Sequence, residues 1–135
     1  MERMDYIKER YLENDFVEIW FENGIVHVTF KRNTHLTLES AQKIVTDRMI
    51  VSRNTTTPIC MDIRNLVSID LQTHKFMASK EALNCISASA FVIRGLINRM
   101  LMDVFVTLFK PIVPTASFTD EEKAVEWLEK YKYLN

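Results

Sequence analysis

Three residue types in this chain are able to do chemistry, and their spacing decides whether they do. His27, His35 and His74 are scattered, with no HxH or HxxxH pair, so the spacing does not build a zinc site. Asp62 and Asp70 are the pair of carboxylates suited to acid–base work. Their contexts favour a plainer role, one ending a strand and the other capping a helix. Cys60 and Cys85 form no CxxC, and both read as small core thiols in apolar surroundings. Cys60 stands on a strand near which His27 or His74 can pack, but a central-strand cysteine is ordinarily inert. The usual phosphate cradles and the nucleophile elbow are missing: there is no GxGxxG, GxxxxGK[ST] or GxSxG. With Gly24 and Gly95 the only glycines, few loops can bring backbone against a ligand. No nucleophile, base and oxyanion donor assemble, so the expectation is a non-enzyme without metal or cofactor.

Composition narrows the function classes further. The chain has 135 residues, 47% hydrophobic and 26% charged, which fits one globular domain over 1–135. A chain of this size buries roughly two-thirds of its unfolded surface, enough to fold without a disulfide or structural metal. Seventeen basic against 18 acidic residues leave a net charge of -1, without the basic excess that nucleic-acid binding needs. Met1-Glu2-Arg3-Met4-Asp5-Tyr6 carries no apolar core behind its charges, and no run approaches about 18 apolar residues. The expectation is a cytoplasmic protein with reduced cysteines, no membrane span and no nucleic-acid partner.

The elements are read from periodicity. Phe16–Glu22 and Ile25–Lys31 flank Asn23-Gly24, a two-residue turn signal, because both central positions of a type I′ turn need positive φ. The register then puts Val17, Ile19, Phe21, Val26, Val28 and Phe30 on one apolar face, with Trp20 opposite His27 on the other. Thr37 caps a helix whose stripe is Leu38, Ala41, Val45 and Met49. Pro58–Ile63 reads as a central strand buried on both faces. After a polar loop come a weaker helix from Asp70 to about Asn84, a small-residue strand Ile86–Ile93, and an apolar helix from Leu96 to about Lys110. Thr115–Phe118 is a short strand, and Thr119-x-x-Glu122 a capping box opening a last helix with stripe Ala124, Trp127, Leu128 and Tyr131. The order ββαβαβαβα predicts an α/β domain: a mixed sheet of about five strands, opened by an antiparallel hairpin.

Two stretches carry a family resemblance. Ile59-Cys-Met-Asp-Ile-Arg-Asn-Leu-Val-Ser-Ile-Asp70 resembles the strand and loop of STAS domains, the anti-sigma-factor-antagonist fold. In those domains a strand ends in aspartate and a second aspartate follows about eight residues later at a helix start. Val113–Leu128 is similar to the last strand and helix of an uncharacterised bacterial STAS-like family, linked by fold to lipid-binding CRAL–TRIO domains. The resemblance implies a STAS-like fold over nearly the whole chain. It also implies a partner-binding loop, here Asp62, Arg64, Asn65, Ser68, Asp70 and Thr73. In partner-switching STAS proteins the second aspartate is followed by a hydroxyl pair that accepts phosphate. Here Leu71 and Gln72 stand there, so the phosphorylation switch is expected to be missing. Thr73 is the displaced hydroxyl; its plainer role is the first turn of a helix capped by Asp70.

The helix after Gly95 is apolar around most of its circumference. Leu96, Ile97, Met100, Leu101, Val104, Phe105 and Leu108 read as its core stripe, and Met102, Val106 and Phe109 as a second stripe. Three readings of the second stripe stand: burial within the monomer, a homodimer contact, or the wall of a pocket for an apolar, lipid-like ligand. The expected function is a non-enzymatic regulatory or protein-interaction module, a homodimer with a possible regulatory partner. The alternative is a carrier of a small apolar molecule.

Overall fold

The computed structural model describes residues 10–132. Its frame is a six-stranded sheet in the order β1-β2-β3-β5-β7-β8. β1 (Tyr11–Glu13), β2 (Val17–Glu22) and β3 (Ile25–Phe30) run antiparallel. From β3 outward β5 (Thr57–Asp62), β7 (Ile86–Val92) and β8 (Thr115–Phe118) are parallel. The β2–β3 register is the expected one, Val17 with Phe30, Ile19 with Val28, Trp20 with His27 and Phe21 with Val26. Asn23 at φ 52° and Gly24 at φ 79° make the turn. A separate two-stranded parallel ladder joins β4 (Thr34–Leu36) to β6 (Leu66–Ile69). The sequence reading misses β1, β4 and β6, which are three or four residues long and, unlike Thr115–Phe118 after Pro114, have no proline beside them to mark them.

Crossover helices cover the sheet unequally. α1 (Leu38–Ser52), α2 (Leu71–Met77) and α3 (Gly95–Val104) share the core built on Val17, Ile19, Val26, Val28 and Phe30. α3 runs on into one π-helical turn, Phe105–Phe109. On the opposite face, α4 (Glu121–Leu128) sets Ala124 and Leu128 on Ile25, Cys60, Ala88, Ala90 and Val92. The small residues of β7 give α4 its close approach, as their spacing implies.

Several local expectations are corrected. α1 buries Ala41, Ile44, Asp47, Arg48 and Val51 rather than Leu38, Val45 and Met49. Polar groups go inward there because they find partners: Asp47 accepts from Asn14 Nδ2 at 2.8 Å, and Arg48 donates to the Ala82 carbonyl at 3.0 Å. Burial lowers the Arg48 guanidinium to a pKa of about 10. α2 ends at Met77, and turns fill the chain to Asn84. The last helix is capped by Asp120, whose Oδ1 accepts from Glu122 N at 2.8 Å, and not by Thr119. Cys85 is half-exposed at φ 63°, whereas Cys60 is buried as expected.

Candidate functional site

The loop singled out by sequence lies between β5 and α2, and most of its side chains hold the loop itself. Asp62 ends β5 and clamps Arg64: Nε donates to Oδ1 at 2.9 Å, Nη2 to Oδ2 at 2.7 Å, and the Arg64 backbone N–H to Oδ1 at 3.1 Å. The Asp62 hydrogen bonds keep the Arg64 guanidinium charged beyond its ordinary range. Asn65 Nδ2 donates to the Phe30 carbonyl at 3.2 Å and ties the loop to the hairpin. Asp70 caps α2, accepting from Thr73 N at 2.8 Å, and the donors of Thr73 hold its carboxyl below the usual range. Thr73 is fully buried, so a phosphoryl donor reaches its hydroxyl only if the first turn of α2 opens. Ser68 and Asp70 remain at or near the surface, with Leu71, which is 64% exposed.

Asp62 and Asp70 are each engaged by a different partner. Each has its own structural duty, with Arg64 and with the α2 N-terminus. Ser68 Oγ and His35 Nδ1 lie 2.8 Å apart across β4 and β6, a contact sequence reasoning missed because both strands escaped it. Among the described residues no carboxylate holds His35, so the pair lacks the third group that orients a base. Burial pushes the Cys60 thiol up to a pKa of about 12, which keeps it protonated and unreactive. No cluster of three His, Cys, Asp or Glu suited to a metal occurs among the described residues.

α3 is turned relative to expectation. Asn98, Met102 and Phe105 are its buried residues, while Leu96, Ile97, Met100 and Leu108 are 57–71% exposed. The proposed second stripe therefore splits. Met102 is core, Phe109 is half-buried against His74 with ring centroids 5.7 Å apart, and Val106 alone is exposed. Asn98 decides the rotation. Its Oδ1 accepts from Arg94 N at 2.9 Å and its Nδ2 donates to the Leu66 carbonyl at 3.2 Å, capping α3 and fastening it to β6. This polar side chain is drawn inside by two backbone groups that need it. Opposite it, Leu96, Ile97, Met100 and Leu108 are exposed, with Val104 half-buried between Met100 and Leu108.

Beneath α3 an apolar cavity of about 30 Å³ is lined by Leu66, Ile69, His74, Leu101, Met102 and Phe105, among others. A second of about 30 Å³ lies under α1 against Arg48, Leu83 and Phe91. His74 Nδ1 has no hydrogen-bond partner among the described residues, and burial lowers the imidazole pKa. A shallow open depression of about 440 Å³ lies at Phe118, Trp127 and the stems of Lys123 and Lys130.

The described helices are all too short or too polar to cross a membrane. A family profile described as a domain of unknown function (DUF7793) matches residues 19–132. The chain belongs to that family. Among solved structures, the chain is similar to an uncharacterised protein of the DUF3478 family with a SpoIIAA-like fold, from Shewanella loihica PV-4. The TM-score is 0.58 at 17% identity, over 87% of this chain and 98% of the other. No curated protein matches. The STAS-like architecture expected from the sequence is thus the observed one: a mixed sheet, an antiparallel hairpin at its start and, among the described residues, four α-helices.

Proposed function

We propose that this chain is a non-enzymatic protein-interaction module whose docking surface is the outer face of α3 and the adjoining β5–α2 loop. The observation that carries it is the set of exposed apolar side chains Leu96, Ile97 and Met100 on α3 and Leu108 on the π-helical turn that follows, with Val104 half-buried between them. Single exposed aliphatic residues are ordinary, but a contiguous stripe marks a surface that meets another macromolecule. The loop beside it is rigid rather than adaptable, because the Asp62–Arg64 clamp, Asn65 and the Asp70 cap fix it from three sides. Carriage of an apolar ligand has less support. The interior cavities of about 30 Å³ hold about one water each, against roughly 300–1,000 Å³ for a ligand pocket.

The test is photo-cross-linking in the cells that make the protein, with a benzophenone amino acid at position 96 and, as control, at the exposed Gln42 on α1. A discrete adduct from position 96 and none from position 42 is expected. Position 96 yielding no adduct, or both positions the same ladder, overturns the reading.

A further inference from the structure

The α3 face has a pattern that fits itself. On the outer side, apolar side chains stand at 96, 100, 104 and 108; Leu96, Met100 and Leu108 are exposed, Val104 is half-buried, and Leu108 sits on the π-helical turn that continues α3. Along one edge run Arg99, Asp103 and Thr107, all exposed. Among the described residues neither Arg99 nor Asp103 has an ion-pair partner. We infer that the occupant of this face is a second copy of the chain, packed with its α3 antiparallel to the first across a two-fold axis at the level of Met102. This rests on the docking reading above and names the partner.

Three observations converge on that arrangement. An axis perpendicular to both helices at residue 102 sets Leu96 of each copy at the level of Leu108 of the other and Met100 at the level of Val104, while Ile97 falls at the level of Thr107. The same rotation keeps the polar edge of both helices on one side. Arg99 of each copy then lies about two residues, or roughly 3 Å, along the axis from Asp103 of the other. The dimer gains two equivalent Arg–Asp pairs, whereas a parallel two-fold carries the polar edges to opposite sides of the contact and forms neither. The area also fits. Leu96, Ile97, Met100 and Leu108, each 57–71% exposed, supply the apolar centre that an interface of about 800 Å² per partner needs. The net charge of -1 puts little long-range repulsion between two copies.

The experiment is sedimentation velocity on the purified chain over a concentration series, with native mass spectrometry of mixtures and circular dichroism as the folding control. The wild type is expected to dimerise. Arg99→Glu and Asp103→Lys, each placing two like-charge contacts in the homodimer, are expected to raise the dissociation constant about ten-fold. Mixed together, the two variants restore both pairs, so the heterodimer is expected to dominate over either homodimer. Leu96→Lys, on a side chain already 71% exposed, is expected to give a folded monomer. A monomeric wild type overturns the inference while leaving the docking reading to the cross-link from position 96. A dimer indifferent to these substitutions, or a mixture that pairs at random, overturns it as well.

Discussion

Asn98 is where the rotation of α3, and hence the exposed stripe, is decided, so truncating it is the sharpest probe of the fold. The side chain is 2% exposed and bridges two backbone groups, the Arg94 N–H at 2.9 Å and the Leu66 carbonyl at 3.2 Å. Asn98→Ala removes both partners at once. The Leu66 carbonyl loses its bond in a buried setting, which costs about 1–3 kcal/mol. The Arg94 N–H is nearer to solvent, and losing that cap costs about 1 kcal/mol. The sum is about 2–4 kcal/mol. At about 2.1 cal/mol/K of unfolding entropy per residue, this chain should lose roughly 7–14 °C in Tm. Asn98→Asp keeps the acceptor for Arg94 but faces a carboxylate to the Leu66 carbonyl, so it should lose at least as much at neutral pH and recover partly on acidification. Urea melts at constant slope give the free energies, and amide exchange should show α3 and β6 loosened together while β2 and β3 stay protected. A loss below about 0.5 kcal/mol for Asn98→Ala would refute the claim that this amide sets the helix rotation.

The remaining expectations concern the same elements. Met102→Ala should cost about 2–5 kcal/mol as a core truncation, and Met100→Ala under about 0.5 kcal/mol in the monomer, both read from urea melts. His74 has a folded pKa below its unfolded value, so the unfolded chain binds the proton more readily. Its contribution is therefore intact above about pH 6.5 and lost as pH falls below that, and His74→Phe should flatten the stability profile there. Asp70 titrates below the ordinary carboxylate range, so its cap is intact at neutral pH and lost on acidification through its folded pKa. Asp70→Asn should keep the cap and remove that acid dependence, whereas Asp70→Ala should lose the cap at every pH, as melts across pH will show. With a thiol-reactive disulfide reagent at pH 8, Cys85 should react in the native protein and Cys60 only after denaturation.

Local signals on the chain determined much of the architecture. Asn23-Gly24 set the hairpin and its register, because a two-residue turn leaves one alignment of the strands and the all-apolar face leaves no alternative. Thr37 and Asp70 were legible as caps because each places an oxygen three residues before an orphan backbone N–H. The apolar run at Pro58–Ile63 and the small residues of Ile86–Ile93 gave the central strands, and their order with the helices gave the STAS-like sheet. Tertiary structure alone decided the rest. β1, β4 and β6 are too short to carry a period, and β4 pairs with β6 across some thirty intervening residues that no local window spans. The orientation of α3 was not legible, because a helix apolar nearly all round has no preferred side by hydrophobicity. The choice falls to one amide, Asn98, which must reach a carbonyl on β6. The buried side of α1 was missed for the same reason, since it carries Asp47 and Arg48 rather than Val45 and Met49. A polar side chain goes inside when the folded backbone or a distant side chain satisfies it, and such a partner exists only once the fold has formed.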